Sequence, residues 1–356
     1  MSALPPGSVI GILGGGQLGR MLAVAAAQLG YRTHVLAPDA ESVAAQTASS
    51  YTRADYHSRI VLDEVADQTD VVTYEFENIA IGPVEYLSGK VPVRPGPQSL
   101  SIAQDRAREK AFVGGIGGRT APWAPVSTLD ELHAAIEAIG APAILKTLRL
   151  GYDGKGQVRI RDAAEAEAAW AEIGERPAIL EGFVQFSHEF SIITVRGLDG
   201  ELTSYPPPWN EHSEGILARS TLPAPAEIAR HWAEAATLAG RVAEALGHVG
   251  VLTLEFFATD DGPVFNEMAP RVHTSGHWTI EGAETSQFEN HILAICGLPL
   301  GSTALTGQHV EMINLIGSDA DNWLELLAEP ATHLHLYGKG NARPGRKMGH
   351  VTRVKR

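Results

Sequence analysis

The chain has 356 residues, 44% of them hydrophobic and 20% charged, with a formal net charge of −14 and a single cysteine. These values are typical of a soluble enzyme with more than one domain, and the negative charge argues against a nucleic-acid partner. One cysteine excludes an internal disulfide, and no signal peptide or bilayer-spanning run is found, so we expect a cytoplasmic protein with no membrane partner.

The first part of the chain, residues 8–94, alternates short β-branched runs with helical ones. Strands are predicted at 9–13, 32–36 and 70–74, with a helix over 14–29. This βαβ pattern is typical of a parallel sheet and predicts a Rossmann-like domain over 1–98.

The glycine run after the first strand has the spacing Gly14-x-Gly16-x-x-Gly19, and Asp39 follows 20 residues after the last glycine. The pattern satisfies the dinucleotide-binding fingerprint, so an NAD(P)-dependent dehydrogenase is one alternative. Glycines are also needed wherever a helix N-terminus approaches a strand closely, and this structural role is about equally well supported.

The middle and end of the chain predict two further domains, over 99–300 and 301–356. Helices are predicted at 98–114, 128–139, 162–173, 225–247, 286–296 and near 320–328. Strands are predicted at 142–147, 157–161, 178–184 and 188–196. The segment from about 119 to 185 is typical of a small α+β lid.

An acidic hairpin is the strongest functional signal. Alternating apolar runs flank Asp261-Gly262, which predicts a β-turn between two strands. In register about Asp261, Glu255 lies opposite Glu267, and a slip of one residue would place it opposite Asn266. Carboxylates so close repel each other unless a cation lies between them, and Mg²⁺ shared with nucleotide phosphates is the expected ion.

A second glycine-rich loop, 151–157, follows the strand that ends near Lys146. Its backbone N–H groups can surround phosphate oxygens, with Lys146 and Lys155 as ammonium donors. Asp153 would be repelled by a triphosphate, so we expect it to face a different substrate. The alternative is a surface turn with incidental charges.

Other polar residues are weaker candidates. Glu181 and Glu189 flank an apolar run and could accept hydrogen bonds from ribose hydroxyls while that run covers a base. Glu75 ends a parallel strand, where ligands bind in open α/β sheets. Arg271 and His273 directly follow the acidic hairpin and could hold an anion. Zinc is not expected, because His273 and His277, and likewise His333 and His335, lack a third ligand.

The segment from Lys339 to Lys347 is basic and punctuated by glycine and proline, which favours an ordered turn that binds a phosphate over a solvated tail.

Several of these motifs together resemble the ATP-grasp enzymes, and in detail the purine-biosynthetic N5-carboxyaminoimidazole ribonucleotide synthetases. The resemblance covers nearly the whole chain in order. It is carried by Gly11-Ile-Leu-Gly-Gly-Gly-Gln-Leu-Gly-Arg20, Tyr74-Glu-Phe-Glu-Asn78, Lys146, the loop 151–157, Glu255, Asn266-Glu267, Ala269-Pro-Arg-Val-His273-x-Ser-Gly-His-Trp278 and Pro344-Gly-Arg-Lys-x-Gly-His350.

The resemblance implies an ATP-grasp fold of mixed α/β and α+β class, with a Rossmann-like N-terminal domain, a central domain with a lid, and a small β-rich C-terminal domain. It implies Mg²⁺, with Mn²⁺ as an alternative ion, on Glu255 and Glu267. Substrate contacts are implied at Gln17, Leu18, Glu75 and Asp153, and 5′-phosphate contacts at Lys339, Arg346 and Lys347. ATP contacts are implied at Arg106, Lys146, Gly151, Tyr152, Asp153, Gly154, Lys155, Gly156, Gln157, Glu181, Gly182, Phe183, Val184, Glu189, His212, Asn266 and Glu267.

The implied reaction uses ATP to convert bicarbonate to carboxyphosphate, which carboxylates the amine of 5-aminoimidazole ribonucleotide. Lys155 would neutralise phosphate charge, Arg271 and His273 would orient bicarbonate, and Asp153 would hold the amine. The resemblance also implies a homodimer and a separate mutase that takes the product. The alternatives are a formate-dependent transformylase, a biotin carboxylase, the dehydrogenase named above, and a nucleotide sensor without catalysis.

Overall fold

The structure is a computed structural model that describes residues 3–149, 151 and 156–356. The strands are β1 Val9–Leu13, β2 Arg32–Ala37, β3 Ser50–Arg53, β4 Val71–Tyr74, β5 Trp123–Val126, β6 Ala143–Thr147, β7 Gln157–Ile160, β8 Ala178–Gly182, β9 His188–Arg196, β10 Leu202–Ser204, β11 Trp209–Ser213, β12 Ile216–Leu222, β13 Gly250–Thr259, β14 Gly262–Ala269, β15 His309–Ile316, β16 Thr332–Leu336 and β17 Lys347–Lys355.

The α-helices are α1 Gln17–Gln28, α2 Arg59–Gln68, α3 Ile81–Ser88, α4 Pro97–Ala103, α5 Arg106–Gly115, α6 Leu129–Ile139, α7 Ala166–Glu172, α8 Ala226–Ala229, α9 Trp232–Ala245, α10 Thr279–Gly282, α11 Gln287–Cys296 and α12 Trp323–Ala328. Short 3₁₀ turns lie at Ala163–Glu165, Thr274–Gly276 and Gly317–Asn322.

The N-terminal sheet has the strand order β3-β2-β1-β4, and all its pairs are parallel. The predicted parallel sheet is therefore confirmed. Leu13 pairs with Tyr74, so the glycine turn after β1 and the acidic segment after β4 leave the same edge of the sheet side by side. This edge forms one wall of the site described below.

A second, antiparallel sheet has the order β5-β8-β6-β7, with α6 and α7 packed on it through a core that includes Leu132, Leu145 and Trp170. Ile144 of β6 lies opposite Glu181 of β8. Because side chains two residues apart share a face, Lys146 is a diagonal neighbour of Glu181.

The third sheet has nine strands in the order β14-β13-β9-β11-β12-β15-β17-β16, with β10 also paired to β9. Strands from the last part of the chain continue this sheet through the β12–β15 pair. The domain limits at residues 98 and 300, and the lid at about 119–185, stay predictions.

Two helices predicted as continuous are each interrupted. The predicted helix 98–114 is wrong as one helix. α4 ends at Ala103, and Asp105 caps the start of α5, with its side chain accepting from Arg108 N at 3.1 Å. The predicted helix 225–247 is wrong in the same way. Between α8 and α9 the side chains of Arg230 and His231 turn to the hairpin and contact Thr259 O, at 3.3 and 2.9 Å.

The N-terminal sheet and the nine-stranded sheet share one hydrophobic core, in which α1 packs against α11. Cys296 is fully buried there, as the sequence predicts. Among the described residues, no helix is both long enough and apolar enough to cross a membrane.

Candidate active site

A cleft of about 880 Å³ lies where the three sheets meet. Most of the residues singled out from the sequence line it, although they come from positions more than 300 residues apart. Those lining it are Gln17, Leu18, Glu75, Arg106, Lys146, Gly151, Gln157, Phe183, Glu189, His212, Glu255, Asn266, Glu267, Arg271, His273, Lys339, Arg346 and Lys347.

The remaining predicted residues fall into two groups. Gly156, Glu181, Gly182 and Val184 are described but do not line the cleft. Tyr152, Asp153, Gly154 and Lys155 lie outside the described residues, so their predicted roles stay predictions.

The acidic hairpin is present, but its turn is one residue earlier than predicted. Thr259 pairs with Gly262, so Asp260 and Asp261 form the two-residue loop. Farther along, Phe256 pairs with Phe265 whereas Leu254 pairs with Met268, which marks a β-bulge. One residue of β13, Glu255, therefore faces two residues of β14, Asn266 and Glu267. The two residues that the alternative predicted registers placed opposite Glu255 thus both face it at this bulge.

Each of the two carboxylates has a nitrogen-bearing side chain beside it. His273 Nε2 lies 3.0 Å from Glu255 Oε1, and Arg106 Nη1 donates to Glu267 Oε2 at 2.8 Å. Burial alone would raise the pKa of Glu267, but Arg106 and Lys146 outweigh it and lower that pKa to about 2. Glu267 is thus ionised at neutral pH and can serve as a ligand for a hard cation.

The donor set fits Mg²⁺, which takes carboxylate and amide oxygens. Glu255, Asn266 and Glu267 supply such oxygens on one wall of the cleft. Within the described part of the chain, no three His, Cys, Asp or Glu side chains converge as a metal site. An ion held by this pair would therefore complete its coordination with oxygens from outside that set, as nucleotide phosphates provide.

Lys146 is held by a buried carboxylate. Its Nζ donates to Glu181 Oε2 at 3.0 Å, and Lys110 Nζ lies 3.3 Å from the same oxygen. Burial opposes ionisation of Glu181, but the two lysines lower its pKa below the usual value. Because Glu181 is 4% exposed and lies behind Lys146, its position does not support the predicted contact with a ribose hydroxyl.

Glu189 keeps that predicted role, because it lines the cleft. Its Oε2 lies 3.0 Å from His212 Nδ1. Burial lowers the pKa of His212, but the Glu189 carboxylate outweighs it and raises that pKa above the usual value. Phe186, from the apolar run expected to cover a base, stacks on Phe257 with ring centroids 4.5 Å apart, and both line the cleft. Phe257 was not predicted from the sequence.

The first glycine motif binds a side chain of its own domain. Glu75 Oε1 accepts from Gly16 N at 2.7 Å and Oε2 accepts from Gly19 N at 3.0 Å, where α1 begins. A Cβ on Gly14 would lie 2.4 Å from Glu75 Cγ, and one on Gly16 would lie 2.7 Å from Oε1. The glycines thus allow a carboxylate to occupy the position that a dinucleotide phosphate would need, which favours their structural role over the dehydrogenase alternative.

Arg271 reaches across to the N-terminal domain. Its Nε and Nη2 donate to Glu77, and its Nη1 donates to Val272 O at 2.9 Å. Burial would raise the pKa of Glu77, but Arg271 lowers it. Glu77 was missed in the sequence, although it lies two residues after Glu75 in the same strand-end segment.

The basic turn closes the far side of the cleft. Lys339 Nζ donates to Lys347 O at 2.8 Å, and Arg346 Nη1 donates to Asn341 O at 3.0 Å. Gln46 of the N-terminal domain donates to Gly338 O at 3.2 Å. Arg343 also lines the cleft here and was not among the predicted contacts. The predicted ordered turn is present, with its cations on the wall opposite the bulge.

Comparison with known families matches three successive parts of the chain. Residues 8–104 match the ribonucleotide synthetase preATP-grasp domain, residues 112–288 the ATP-grasp domain, and residues 311–356 the phosphoribosylaminoimidazole carboxylase C-terminal domain. The predicted fold class is therefore confirmed.

Individual relatives agree. The chain is 50% identical to N5-carboxyaminoimidazole ribonucleotide synthase of Brucella melitensis, over 99% of this chain and 98% of the relative. It is also 45% identical to a bifunctional purine synthesis protein of Dictyostelium discoideum, of which it spans 37%.

Solved structures of the same family superpose on this chain over nearly its whole length. The N5-carboxyaminoimidazole ribonucleotide synthetase of Thermus thermophilus superposes with a TM-score of 0.91 at 46% identity, covering 98% of this chain and 93% of that one. The Aspergillus clavatus enzyme, solved with ADP and 5-aminoimidazole ribonucleotide, gives 0.90 at 30% identity, covering 98% and 94%. The chain belongs to the N5-carboxyaminoimidazole ribonucleotide synthase family of ATP-grasp ligases.

Proposed function

We propose that this protein carboxylates the amine of 5-aminoimidazole ribonucleotide, using ATP and bicarbonate, to give N5-carboxyaminoimidazole ribonucleotide. The observation that carries the proposal is the composition of one cleft: the Glu255 and Glu267 bulge beside Lys146 on one wall, and the basic turn 339–347 on the other. One wall suits a metal-bound triphosphate and the other a sugar phosphate. Relatives with this name, and a fungal structure with ADP and the ribonucleotide, support the same assignment.

Glu255 and Glu267, with the Asn266 amide oxygen, would hold Mg²⁺, or Mn²⁺ in its place. The bound ion would neutralise charge on the phosphoryl group during transfer. Lys146 offers an ammonium to the phosphates, and Glu181 keeps that ammonium aimed along the cleft. Arg106 offers a guanidinium between Glu267 and Gly151 O, to which it donates at 3.4 Å.

The adenosine would lie toward the second sheet. Phe183, Phe186 and Phe257 line that part of the cleft and would cover the base, while Glu189 would accept hydrogen bonds from ribose hydroxyls. His212 holds the Glu189 carboxylate in place.

In the first step, an oxygen of bicarbonate attacks the γ-phosphorus, and the bond to the bridging oxygen breaks as ADP leaves. Arg271 and His273 would orient bicarbonate, because both line the cleft beside the bulge. Glu77 fixes the Arg271 guanidinium, and His273 also contacts Ser275 Oγ at 2.9 Å through Nδ1. Both groups are thus preorganised, which lowers the cost of assembling the reactive complex.

In the second step, the amine nitrogen attacks the carboxyl carbon of carboxyphosphate, the C–O bond to phosphate breaks, and phosphate leaves. Lys339, Arg346 and Lys347 would hold the 5′-phosphate, and Gln17, Leu18 and Glu75 would contact the rest of the ribonucleotide. Asp153 would hold the amine and accept its proton, and Lys155 would neutralise phosphate charge. We also propose a cytoplasmic homodimer whose product passes to a mutase.

The test is phosphate release with 5-aminoimidazole ribonucleotide, with and without bicarbonate. We expect phosphate release to require both 5-aminoimidazole ribonucleotide and bicarbonate. Stimulation only by glycinamide ribonucleotide with formate, or only by biotin, would favour the transformylase or the biotin carboxylase. Tight ATP binding without turnover would favour a sensor.

A further inference from the structure

One face of α5 contacts three consecutive residues of β14. Arg106, Glu109 and Lys110 are spaced i, i+3 and i+4, so they lie on the same side of the helix. Arg106 donates to the Glu267 carboxylate at 2.8 Å. Lys110 Nζ donates to Asn266 O at 3.0 Å, and Glu109 Oε1 accepts from Met268 N at 2.7 Å.

β14 is the last strand of its sheet, and among the described residues its outer edge pairs only at Phe265, in an isolated bridge to Thr120, so no strand fixes that edge at Asn266 and Glu267. The two α5 side chains bind the backbone on either side of Glu267 instead. Glu109 and Lys110 are 2% and 1% exposed, so neither bond competes with bulk water. These two hydrogen bonds fix the peptide groups on both sides of Glu267, and with them the direction in which its side chain projects.

Lys110 also couples this edge to the phosphate side of the cleft. Its Nζ shares Glu181 Oε2 with Lys146, and Lys146 Nζ lies 3.5 Å from Asn266 Oδ1. Lys110 therefore contacts both the β14 backbone beside Glu267 and the carboxylate that holds Lys146.

Stability alone does not account for these charges. Burying an acid and a base is often no better for stability than apolar packing of the same volume. Their hydrogen bonds instead end on backbone atoms beside Asn266 and Glu267. Groups that orient ligand-bearing residues in this way commonly decide metal affinity.

We propose that Glu109 and Lys110 are positioning residues that hold the Asn266-Glu267 bulge in the geometry that binds the metal–nucleotide complex. This inference rests on the proposed function, because it requires a divalent ion at Glu255 and Glu267. Glu109 also lines the cleft, but the role proposed for both residues acts through their hydrogen bonds to the β14 backbone.

The test is calorimetric binding of ADP to the full chain, with Mg²⁺ and with EDTA. The dissociation constant in EDTA divided by that in Mg²⁺ gives the metal dependence of nucleotide binding. Glu109→Met and Lys110→Met should lower this ratio about tenfold or more. Glu109→Gln should keep it within about threefold of the wild-type value, because a Gln amide oxygen still accepts from Met268 N.

Arg108→Met is the matched control. It removes a cation from the same helix, but Arg108 is exposed and donates to Ser101 Oγ, away from β14. Its ratio should equal that of the wild type. If Glu109→Met does not fold, Glu109→Asp replaces it, since the shorter side chain withdraws the carboxylate and should lower the ratio similarly.

The outcomes separate the two proposals. A normal ratio in Glu109→Met or Glu109→Asp and in Lys110→Met, together with a lost ratio in Glu267→Gln, overturns the positioning role and leaves the proposed function standing. A normal ratio in Glu267→Gln as well removes the metal site, and the positioning role fails with it. Loss in Glu109→Gln equal to that in Glu109→Met also overturns the role, because the hydrogen bond would not be what matters.

Discussion

The ammonium of Lys146, in the wall of the cleft, and the carboxylate of Glu181 behind it form a buried pair, 3.0 Å apart. Lys110 shares the same oxygen. Glu181 therefore neutralises two cations that would otherwise repel each other in a poorly hydrated space.

Glu181→Gln should damage both stability and catalysis. Removing the anion leaves two buried ammonium groups without a counterion, which costs about 3–5 kcal/mol of unfolding free energy. The KM for ATP should rise, because Lys146 loses the group that aims it. Urea unfolding and steady-state kinetics measure the two effects. Glu189→Gln, on the cleft surface, is the control that should keep wild-type stability, and equal losses in both variants would contradict this role.

Glu267→Gln should lose most turnover and leave the fold intact. Its side chain is 40% exposed, so the amide needs little rearrangement, but it lacks the charge that a metal ion needs. Glu255→Gln should behave alike. Phosphate release together with circular dichroism checks both points, and full activity in either variant would remove the assigned metal site.

Gly16→Ala should destabilise the N-terminal domain. Its backbone φ of −85° suits any residue, so the effect comes only from a Cβ placed 2.7 Å from Glu75 Oε1. Overpacking of this kind typically costs about 1–3 kcal/mol. Gly96→Ala is the control, because a Cβ there meets nothing within 4 Å. Similar melting temperatures for the two variants would argue against the close contact between the glycine turn and Glu75.

Stability should fall as the solution is acidified below about pH 6.5. Burial lowers the pKa of His248 to about 4 and that of His291 to about 3. Above pH 6.5 both histidines are neutral in the folded and in the unfolded protein. Between pH 6.5 and their folded-state pKa values, only the unfolded chain binds these protons. Each group then removes up to about 1.4 kcal/mol of stability per pH unit.

The same two histidines hold the start of β13. His248 Nε2 contacts Val251 O at 2.9 Å and His291 Nδ1 accepts from Val251 N at 3.1 Å. Urea titrations from pH 7 to 4.5 give the slope. His291→Gln should flatten it relative to the wild type, and the exposed control His133→Gln should not. A slope unaffected by His291→Gln would contradict the assignment.

Arg346→Ala should raise the KM for the aminoimidazole ribonucleotide about tenfold or more and leave the KM for ATP unchanged, because a charged hydrogen bond to phosphate is lost. Lys355→Ala, in the exposed end of the chain, is the control for net charge. A larger effect on ATP would place the nucleotide, not the ribonucleotide, at the basic turn.

The sequence located the hairpin because alternation and an Asp-Gly pair are local signals, but it left two registers open. A bulge puts Glu255 against both Asn266 and Glu267, and the α5 side chains that contact β14 there come from far earlier in the chain, so local signals could not choose the register. Likewise, Gly14, Gly16 and Gly19 fit two explanations until Glu75 is seen against them.

Three of the missed residues share one cause. Glu77, Glu109 and Lys110 are charged side chains in helical or strand-end segments, where solvent exposure is the usual expectation. Their contacts become visible only when the partner residues, far away in the chain, are in place. The i, i+3, i+4 spacing of Arg106, Glu109 and Lys110 is the signal that could have found one of these groups.

The most direct measurement is a crystal structure with Mn²⁺ and a non-hydrolysable ATP analogue, in which anomalous scattering locates the ion. If Glu255 and Glu267 hold the metal, the anomalous peak will be coordinated by their carboxylates and by phosphate oxygens. A peak elsewhere, or an analogue bound away from this bulge, would contradict this assignment.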